Sequence, residues 1–373
     1  MALSTLSVWP TPVQSLMLEA SLNRDDAAIS AWKSWYDIID LDHLDHSSNR
    51  LIPLLYHRLE NLGIADVDLG RMKGTFRRTW YHNQLIFARL ATVLEALKQR
   101  NIPTLLLKGV PLTLLYYRDP GLRPMLDLDL MVPRKYTYEA IEVLTQLGWQ
   151  AIDQRDAENS CLNHAVALRS QDGVEIDLHF SVVPECLSDR CNELFWQASQ
   201  SVKHATFAAQ TLDGAGHLVH TIVHGLRPNR DGSIRWIADA VLLMRSEKNI
   251  DWQRVVLIAS RIRMGKILLA GLRYLIKHHE VVVPDNVIEQ LSLQHISRLE
   301  RFERCMRLDW PLLFPLAKFW GPYARLHEHR GAIALIVGFP RHLSGVLHAN
   351  NPFDVLVKIG SRTFRYISRQ LGH

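Results

Sequence analysis

The sequence predicts an α+β protein in which a small mixed sheet lies between N-terminal and C-terminal helical regions. Three observations favour this fold class. Apolar residues recur at helical spacing up to about residue 100, short aliphatic runs bounded by Gly and Pro follow, and helical spacing returns beyond Pro184. We therefore divide the chain into a helical region at 1–100, a core at 101–185 and a second helical region at 186–373.

The first elements of the core are short. NIPTLLLKGV (101–110) is an aliphatic run with Pro103 near its start and Gly109 at its end, which is typical of a buried strand followed by a turn. VPLTLLYYRD then predicts a short helix and PGLRP a turn. MLDLDLMV (125–132) predicts a second strand, which Pro133 ends.

The rest of the core predicts one helix and three more strands. RKYTYEAIEVLTQLG is amphipathic and stops at Gly148, whereas WQAID, HAVALRS and GVEIDLHFSV are predicted strands. The resulting order is β-α-β-α-β-β-β. Helical spacing resumes after Pro184, and we expect the helical regions to pack onto the sheet.

Composition sets broad limits on the class of protein. A chain of 373 residues with 47% hydrophobic content can bury one large core or a few smaller ones. Its net charge of +5 is compatible with an anionic partner such as a nucleotide or RNA but does not identify one. The N-terminus lacks the basic region of a signal peptide, and the longest apolar runs fall short of the roughly 20 residues of a spanning helix. No transmembrane segment is therefore expected.

The four cysteines, Cys161, Cys186, Cys191 and Cys305, are scattered and form no CxxC pair. This usage predicts no disulfide framework and favours a reducing compartment. We therefore expect a cytoplasmic protein.

Two carboxylates interrupt the second predicted strand. Because side chains alternate between the faces of a strand, Asp127 and Asp129 share one face, opposite the leucines at 126, 128 and 130. Carboxylates this close raise one another's pKa unless a cation lies between them. A hard divalent ion such as Mg²⁺ is the usual cation, with Mn²⁺ as an alternative.

A third acid comes from GVEIDLHFSV, in which Glu175, Asp177 and His179 share one face. If this strand lies beside the first, Asp177 joins Asp127 and Asp129, with Glu175 as the competing residue. Three such carboxylates can hold two Mg²⁺ ions for phosphoryl transfer. Asp177 can also accept the proton of an acceptor hydroxyl.

The turn at Lys108 and Gly109 is a candidate phosphate site. Gly109 permits close approach of the backbone, the following helix would present free N–H groups, and Lys108 adds a positive charge. Arg123 lies just ahead of the acidic strand and can neutralise phosphate charge. The alternatives are a surface role for Lys108 and a role for Arg123 in holding the turn.

Three features of the C-terminal region carry weaker signals. His217, His220 and His224 share a helical face, which favours packing or a polar contact to the sheet over zinc. Asp239 interrupts an apolar helix face, which favours a structural pairing with Arg235 or a core residue over a place in the active site. The last helix carries a basic stripe that predicts a solvated face or an RNA or membrane contact, formed by Lys358, Arg362, Arg365 and Arg369.

The motifs LLKGVPL, YYRDPGLRPMLDLDLMV and VEIDLHF, in this order, resemble the nucleotidyltransferase superfamily and especially its branch of uncharacterised nucleotidyltransferases. The resemblance implies a polymerase-β-like nucleotidyltransferase core in which Asp127 and Asp129 bind Mg²⁺ and Asp177 completes the triad. The chain departs from the superfamily at one point, because Lys108-Gly109 replaces the common Gly-Ser turn that holds the phosphates.

The resemblance also implies a reaction. We expect transfer of a nucleoside monophosphate from an NTP, with ATP favoured, to a hydroxyl or phosphate of a small molecule or peptide, with release of pyrophosphate. Lys108, Gly109 and Arg123 would hold the nucleotide. Two alternatives stay open: a toxin-like enzyme that modifies a tRNA end, and a degenerate module that binds nucleotide without turnover, as the missing Gly-Ser suggests.

Overall fold

The computed structural model describes most of the chain. The described residues are 8–65, 68–153, 165–184, 186, 189–227, 234–247, 249–309, 319–321, 323–324, 327, 331–347, 349, 351, 353–355, 357–358 and 360–361. Cys161 and the basic residues Arg362, Arg365 and Arg369 of the predicted C-terminal stripe lie outside them.

Helices precede the sheet and are inserted into it. They are α1 Pro12–Leu22, α2 Asp25–Tyr36, α3 His46–Asn49, α4 Ile52–Asn61, α5 Leu69–Gln99, α6 Gly109–Leu112 and α7 Thr137–Gln146. The start of α1 is fixed by a capping box, in which the Thr11 hydroxyl accepts from the Gln14 N–H and the Gln14 side chain accepts from the Thr11 N–H.

Helices also dominate the part of the chain after residue 185. They are α8 Asp189–Gln197, α9 Gly214–Gly225, α10 Arg235–Ser246, α11 Trp252–Arg261, α12 Gly265–His279, α13 Asp285–Leu293, α14 Arg298–Arg304 and α15 Ala332–Leu347. No helix within the described ranges is both long and apolar enough to cross a membrane.

Seven strands form one mixed sheet. They are β1 Leu105–Leu107, β2 Asp127–Met131, β3 Gln150–Ala151, β4 Ala165–Arg169, β5 Glu175–His179, β6 Gln200–Lys203 and β7 Ala208–Thr211, in the spatial order β3-β4-β5-β2-β1-β7-β6. Strand β2 is antiparallel to β1 and parallel to β5, and β1 is parallel to β7. The predicted α+β fold with a mixed sheet is confirmed.

The sheet extends beyond the core predicted from the sequence. Strands β6 and β7 pair with each other, and β7 lies against β1, so the expectation of helices alone after Pro184 is wrong for this hairpin. AAQT and QSVK contain few large apolar residues, and no clear alternation identifies them as strands. The division at 1–100, 101–185 and 186–373 stays a prediction.

Each face of the sheet contributes to a different hydrophobic core. Leu106, Leu128 and Leu178 pack with α5 and α7 on one face. Leu105 and Met131 belong to the larger core on the other face, which α1, α2 and α4 share with helices α9 to α13. The helical regions therefore pack onto the sheet as predicted, but the N-terminal and C-terminal helices build one core together.

A disulfide joins Cys186 to Cys191, whose Cα atoms are 5.6 Å apart. The expectation drawn from the scattered cysteines is wrong at this pair, because the segment between β5 and α8 brings the two residues together. The cysteine content therefore no longer argues for a reducing compartment. The cytoplasmic location stays a prediction.

Candidate functional site

The acidic residues of β2 and β5 meet on one face of the sheet. The two strands are parallel, with Asp129 opposite Asp177 and Asp127 opposite Glu175. Asp129 is buried, and Asp127 and Asp177 are half-buried. The alternation read from the sequence therefore places Asp129 and Asp177 side by side.

Glu175, the competing third acid, is bound elsewhere. Its carboxylate accepts a hydrogen bond from Arg169 Nε at 3.0 Å. Asp177 lies directly opposite Asp129 in the pairing of β5 with β2, whereas Glu175 lies opposite Asp127. The geometry therefore favours Asp177 over Glu175 as the companion of Asp129.

His179 adds an imidazole to this group. Its Nε2 lies 2.9 Å from Asp129 Oδ1, and one ligand atom from each of Asp129, Asp177 and His179 lies within 4.8 Å of the others. Strand alternation predicted that His179 lies on this face, but the sequence alone assigned this residue no role. The signal was available, because His179 follows Asp177 by two residues on the same strand.

Lys108 is part of the acidic group rather than a surface lysine. Its ammonium forms an ion pair with Asp129 Oδ1, and its side chain is 21% exposed. The Lys108 backbone has φ +48° and ψ −109°, a conformation that residues other than glycine rarely adopt. Backbone strain of this kind costs about 1–3 kcal/mol and persists only where surrounding contacts impose it.

Gly109 is required by close packing. A Cβ at this position would lie 3.0 Å from Met125 Sδ and 3.4 Å from Arg123 Nη1. The helix that Gly109 begins, α6, has only four residues. A helix this short offers little dipole to an anion, so phosphate binding at this turn would depend on the Lys108 charge.

Arg123 is occupied by a buried ion pair with Asp239 of α10. Its Nε and Nη2 donate to the two carboxylate oxygens of Asp239 at 2.8 and 2.9 Å. Tyr117 Oη donates to the same carboxylate at 2.7 Å, and Arg235 donates instead to the Pro124 carbonyl. Asp239 thus has a structural partner as expected, but the partner is Arg123 and not Arg235.

The charges in the site act strongly on one another. The neighbouring Asp129 charge, followed by burial, raises the pKa of Asp127, and burial followed by the Asp129 charge raises the pKa of Asp177. Burial alone would raise the pKa of Asp129, but the Lys108 charge and the His179 hydrogen bond hold that pKa well below its usual range. Asp129 is therefore ionised, and His179 Nε2 donates to it.

The same acids also shift the pKa of Lys108. Burial alone would lower the pKa of Lys108, but the charges of Asp129 and Asp127 raise it above its ordinary value. Lys108 therefore stays protonated and supplies the positive charge that the acids require.

The predicted histidine face belongs to α9. His217 Nε2 lies 3.0 Å from Thr211 Oγ1 of β7, which confirms the expected polar contact to the sheet. His220 is also buried, and the charges of Lys108, Asp129 and His179 all act on its ring. His220 is therefore a neighbour of the acidic site that the sequence alone did not identify.

A divalent ion fits the group formed by Asp129, Asp177 and His179. Carboxylate oxygens and an imidazole nitrogen are metal ligands, and the three atoms are already gathered within 4.8 Å. The Lys108 ammonium shows that Asp129 accepts a cation at this position. Asp127 stands two residues before Asp129 on the same strand, but it is not one of the residues whose ligand atoms gather within 4.8 Å.

The chain is similar to known proteins in sequence and, to a small extent, in structure. A crystal structure of an antigenic nucleotidyltransferase-like protein from Paracoccidioides brasiliensis is similar to part of the chain, with 16% sequence identity and a TM-score of 0.35, over 56% of this chain and 93% of that one. No curated protein gives a significant match. The model of the uncharacterised nucleotidyltransferase family matches residues 46–278, which is more than half of the chain and runs from α3 into α12. The chain therefore belongs to the family of uncharacterised nucleotidyltransferases.

Proposed function

We propose that the protein is a metal-dependent nucleotidyltransferase that moves a nucleoside monophosphate from an NTP, with ATP favoured, to a hydroxyl or phosphate of a small molecule or peptide. The observation that carries the proposal is the pairing of Asp129 with Asp177 on adjacent strands, beside the Lys108 ammonium. Membership of the family supports the same reaction class.

The three aspartates hold the metal and the reacting groups. Asp127 and Asp129 bind up to two ions, for which Mg²⁺ is the first candidate and Mn²⁺ the second, and Asp177 shares one of them. A bound ion supplies positive charge to the phosphate oxygens as charge develops there. Catalysis in this scheme rests on positioning and charge neutralisation.

Asp177 also suits the role of proton acceptor. The acceptor oxygen attacks the α-phosphorus, the bond from the α-phosphorus to the bridging oxygen breaks, and pyrophosphate leaves. The acceptor proton passes to the Asp177 carboxylate, which lies beside Asp129 on the neighbouring strand.

Lys108 and Gly109 contact the triphosphate. Lys108 pairs with Asp129, and its ammonium would contact a phosphate oxygen once a divalent ion balanced the Asp129 charge. Arg123 was predicted to hold phosphate as well, but its guanidinium group is paired with the Asp239 carboxylate. We assign it the role of positioning the Gly109 turn, against which its Nη1 packs.

The acceptor is proposed only as a chemical class of molecule. The tRNA alternative came from the resemblance to toxin-like nucleotidyltransferases, with the basic C-terminal stripe as its RNA contact. The one described member of that stripe, Lys358, pairs with Asp354 at 2.9 Å. This contact favours a solvated face at that residue. A small molecule or peptide is therefore kept as the acceptor class.

The test uses NTPs labelled at the α-phosphate, with small-molecule, peptide and tRNA fractions of a cell extract as separate acceptors. We expect label transfer that requires a divalent ion and falls about 100-fold or more in Asp127→Asn and Asp129→Asn, because each variant removes charge at the transition state. Asp26→Asn, on the exposed surface of α2, is the matched control and should transfer normally.

Three results would count against the proposal. Transfer that survives both site variants would show that the reaction occurs elsewhere. Transfer to tRNA alone would select the toxin-like alternative. NTP binding in calorimetry with no pyrophosphate release in any fraction would favour the binding module.

A further inference from the structure

We propose that His179 is a metal ligand, and that the ion held by Asp129, Asp177 and His179 is a divalent transition ion of the Mn²⁺ class in preference to Mg²⁺. The inference rests on the proposed function only in placing a metal at these acids. It makes the two metal positions of the site chemically different.

The distances support direct coordination by His179. Neighbouring ligands of an octahedral ion with bonds of about 2.1 Å lie about 3 Å apart. The 2.9 Å separation of His179 Nε2 from Asp129 Oδ1 has this value before any ion is present. Without an ion Nε2 donates this hydrogen bond to Asp129, so coordination requires the other neutral tautomer, with hydrogen on Nδ1 and the electron pair of Nε2 free for the ion.

His220 provides an independent indication that a ligand belongs here. Its residue is 2% exposed, and its Nε2 has no hydrogen-bond partner among the described residues. Burial of a ring nitrogen without a partner is unfavourable. The charges of Lys108, Asp129 and His179 act on this ring, so we expect a water near the bound ion to be its partner.

The donor set decides which ion is preferred. Imidazole favours transition ions, whereas Mg²⁺ prefers oxygen ligands and holds its waters tightly. A set of two carboxylates and one imidazole therefore binds Mn²⁺ more tightly than Mg²⁺. The position between Asp127 and Asp129 offers oxygen ligands only, which suits an Mg²⁺ that arrives with the nucleotide.

The experiment measures ion binding by the full chain without nucleotide. After chelator treatment, Mn²⁺ is titrated and free Mn²⁺ is followed by electron paramagnetic resonance, with Mg²⁺ as competitor. We expect one site for which Mg²⁺ binds at least tenfold more weakly. Pulsed spectra of the bound Mn²⁺ should show coupling to a directly coordinated ¹⁴N nucleus.

Variants identify the nitrogen. His179→Leu should lose the coupling and at least tenfold in Mn²⁺ affinity, with less than threefold change for Mg²⁺. His43→Gln, an exposed control on the far N-terminal segment, should keep both. The coupling is first read on the unaltered protein, so a variant that fails to fold does not remove the test.

The proposal is overturned if Mg²⁺ and Mn²⁺ bind equally, if no ¹⁴N coupling appears, or if the coupling survives His179→Leu and vanishes in His220→Leu. These outcomes are separable from failure of the proposed function. Loss of the Mn²⁺ preference leaves Mg²⁺-dependent transfer intact, and absence of transfer leaves Mn²⁺ binding intact.

Discussion

Lys108 combines a favourable side-chain contact with an unfavourable backbone. Its ammonium neutralises the buried Asp129, yet its positive φ is of the kind that glycine adopts at little cost. The common superfamily turn is Gly-Ser, and its glycine would stand at Lys108 if the two turns align. The chain therefore accepts backbone strain in order to keep a positive charge beside the acids.

This balance can be measured with two substitutions. Both Lys108→Gly and Lys108→Met remove the ion pair and leave Asp129 without its cation, so both should be less stable than the native chain. Lys108→Gly also relieves the strained backbone, and we expect its free energy of unfolding to be about 1 kcal/mol higher than that of Lys108→Met. Urea unfolding at neutral pH measures the difference, and equal stabilities would contradict the strain.

Residue patterns predicted the acidic pair and its companion because strand alternation is a local property. Asp127 and Asp129 are two residues apart, and Asp177 needed only the assumption that two strands are neighbours. The partner of Arg123 could not be read in this way. Asp239 lies 116 residues further along the chain, and no local pattern connects the two.

At the scale of elements, the Arg123–Asp239 pair fastens the segment before β2 to α10. Both side chains are almost fully buried. A buried ion pair contributes little net stability when compared with apolar residues, but loss of one partner leaves an uncompensated charge. The pair therefore fixes where β2 begins relative to the helices behind it.

We expect Arg123→Met and Asp239→Leu each to lower the free energy of unfolding by about 3–5 kcal/mol. The combination of Arg123→Met with Asp239→Leu should cost clearly less than the sum of the single changes, because neither charge is then left alone. Urea unfolding of the three variants completes the cycle. Additive losses would show that the two residues act independently.

The elements that sequence reasoning missed share a physical cause. Strands β6 and β7 have four residues each, and only Val202 and Thr211 of these are buried, so their sequences show no clear alternation of apolar residues. Their place is set by pairing with the β1 edge, a tertiary contact rather than a propensity. The strands of the acidic site were predicted well because one face of each is buried.

At the scale of the whole molecule, buried histidines make stability depend on pH. Burial lowers the pKa of His217 to about 3 and that of His279 to about 4, and burial lowers the pKa of His220 well below 6.5. These rings bind protons only after unfolding. Their contribution to stability is present above pH 6.5 and is lost as the pH falls towards the folded-state values.

We expect the free energy of unfolding to change little between pH 8 and pH 7 and to fall steeply below about 6.5, by up to about 1.4 kcal/mol per pH unit for each of the three rings. His217→Gln should reduce this slope by the contribution of one proton, which is at most about 1.4 kcal/mol per pH unit. Urea unfolding at a series of pH values measures it. An unchanged slope would mean that His217 takes up its proton in the folded state.

The pairing of β7 with β1 has a consequence for any attempt to isolate the acidic half of the protein. A fragment ending at residue 185 would keep Asp127, Asp129 and Asp177 but would strip β1 of its outer neighbour. The bared strand, Leu105–Leu107, is entirely aliphatic, and such an edge recruits strands from other chains. We therefore expect a fragment that folds alone to extend at least through β7, whose pairing covers this edge.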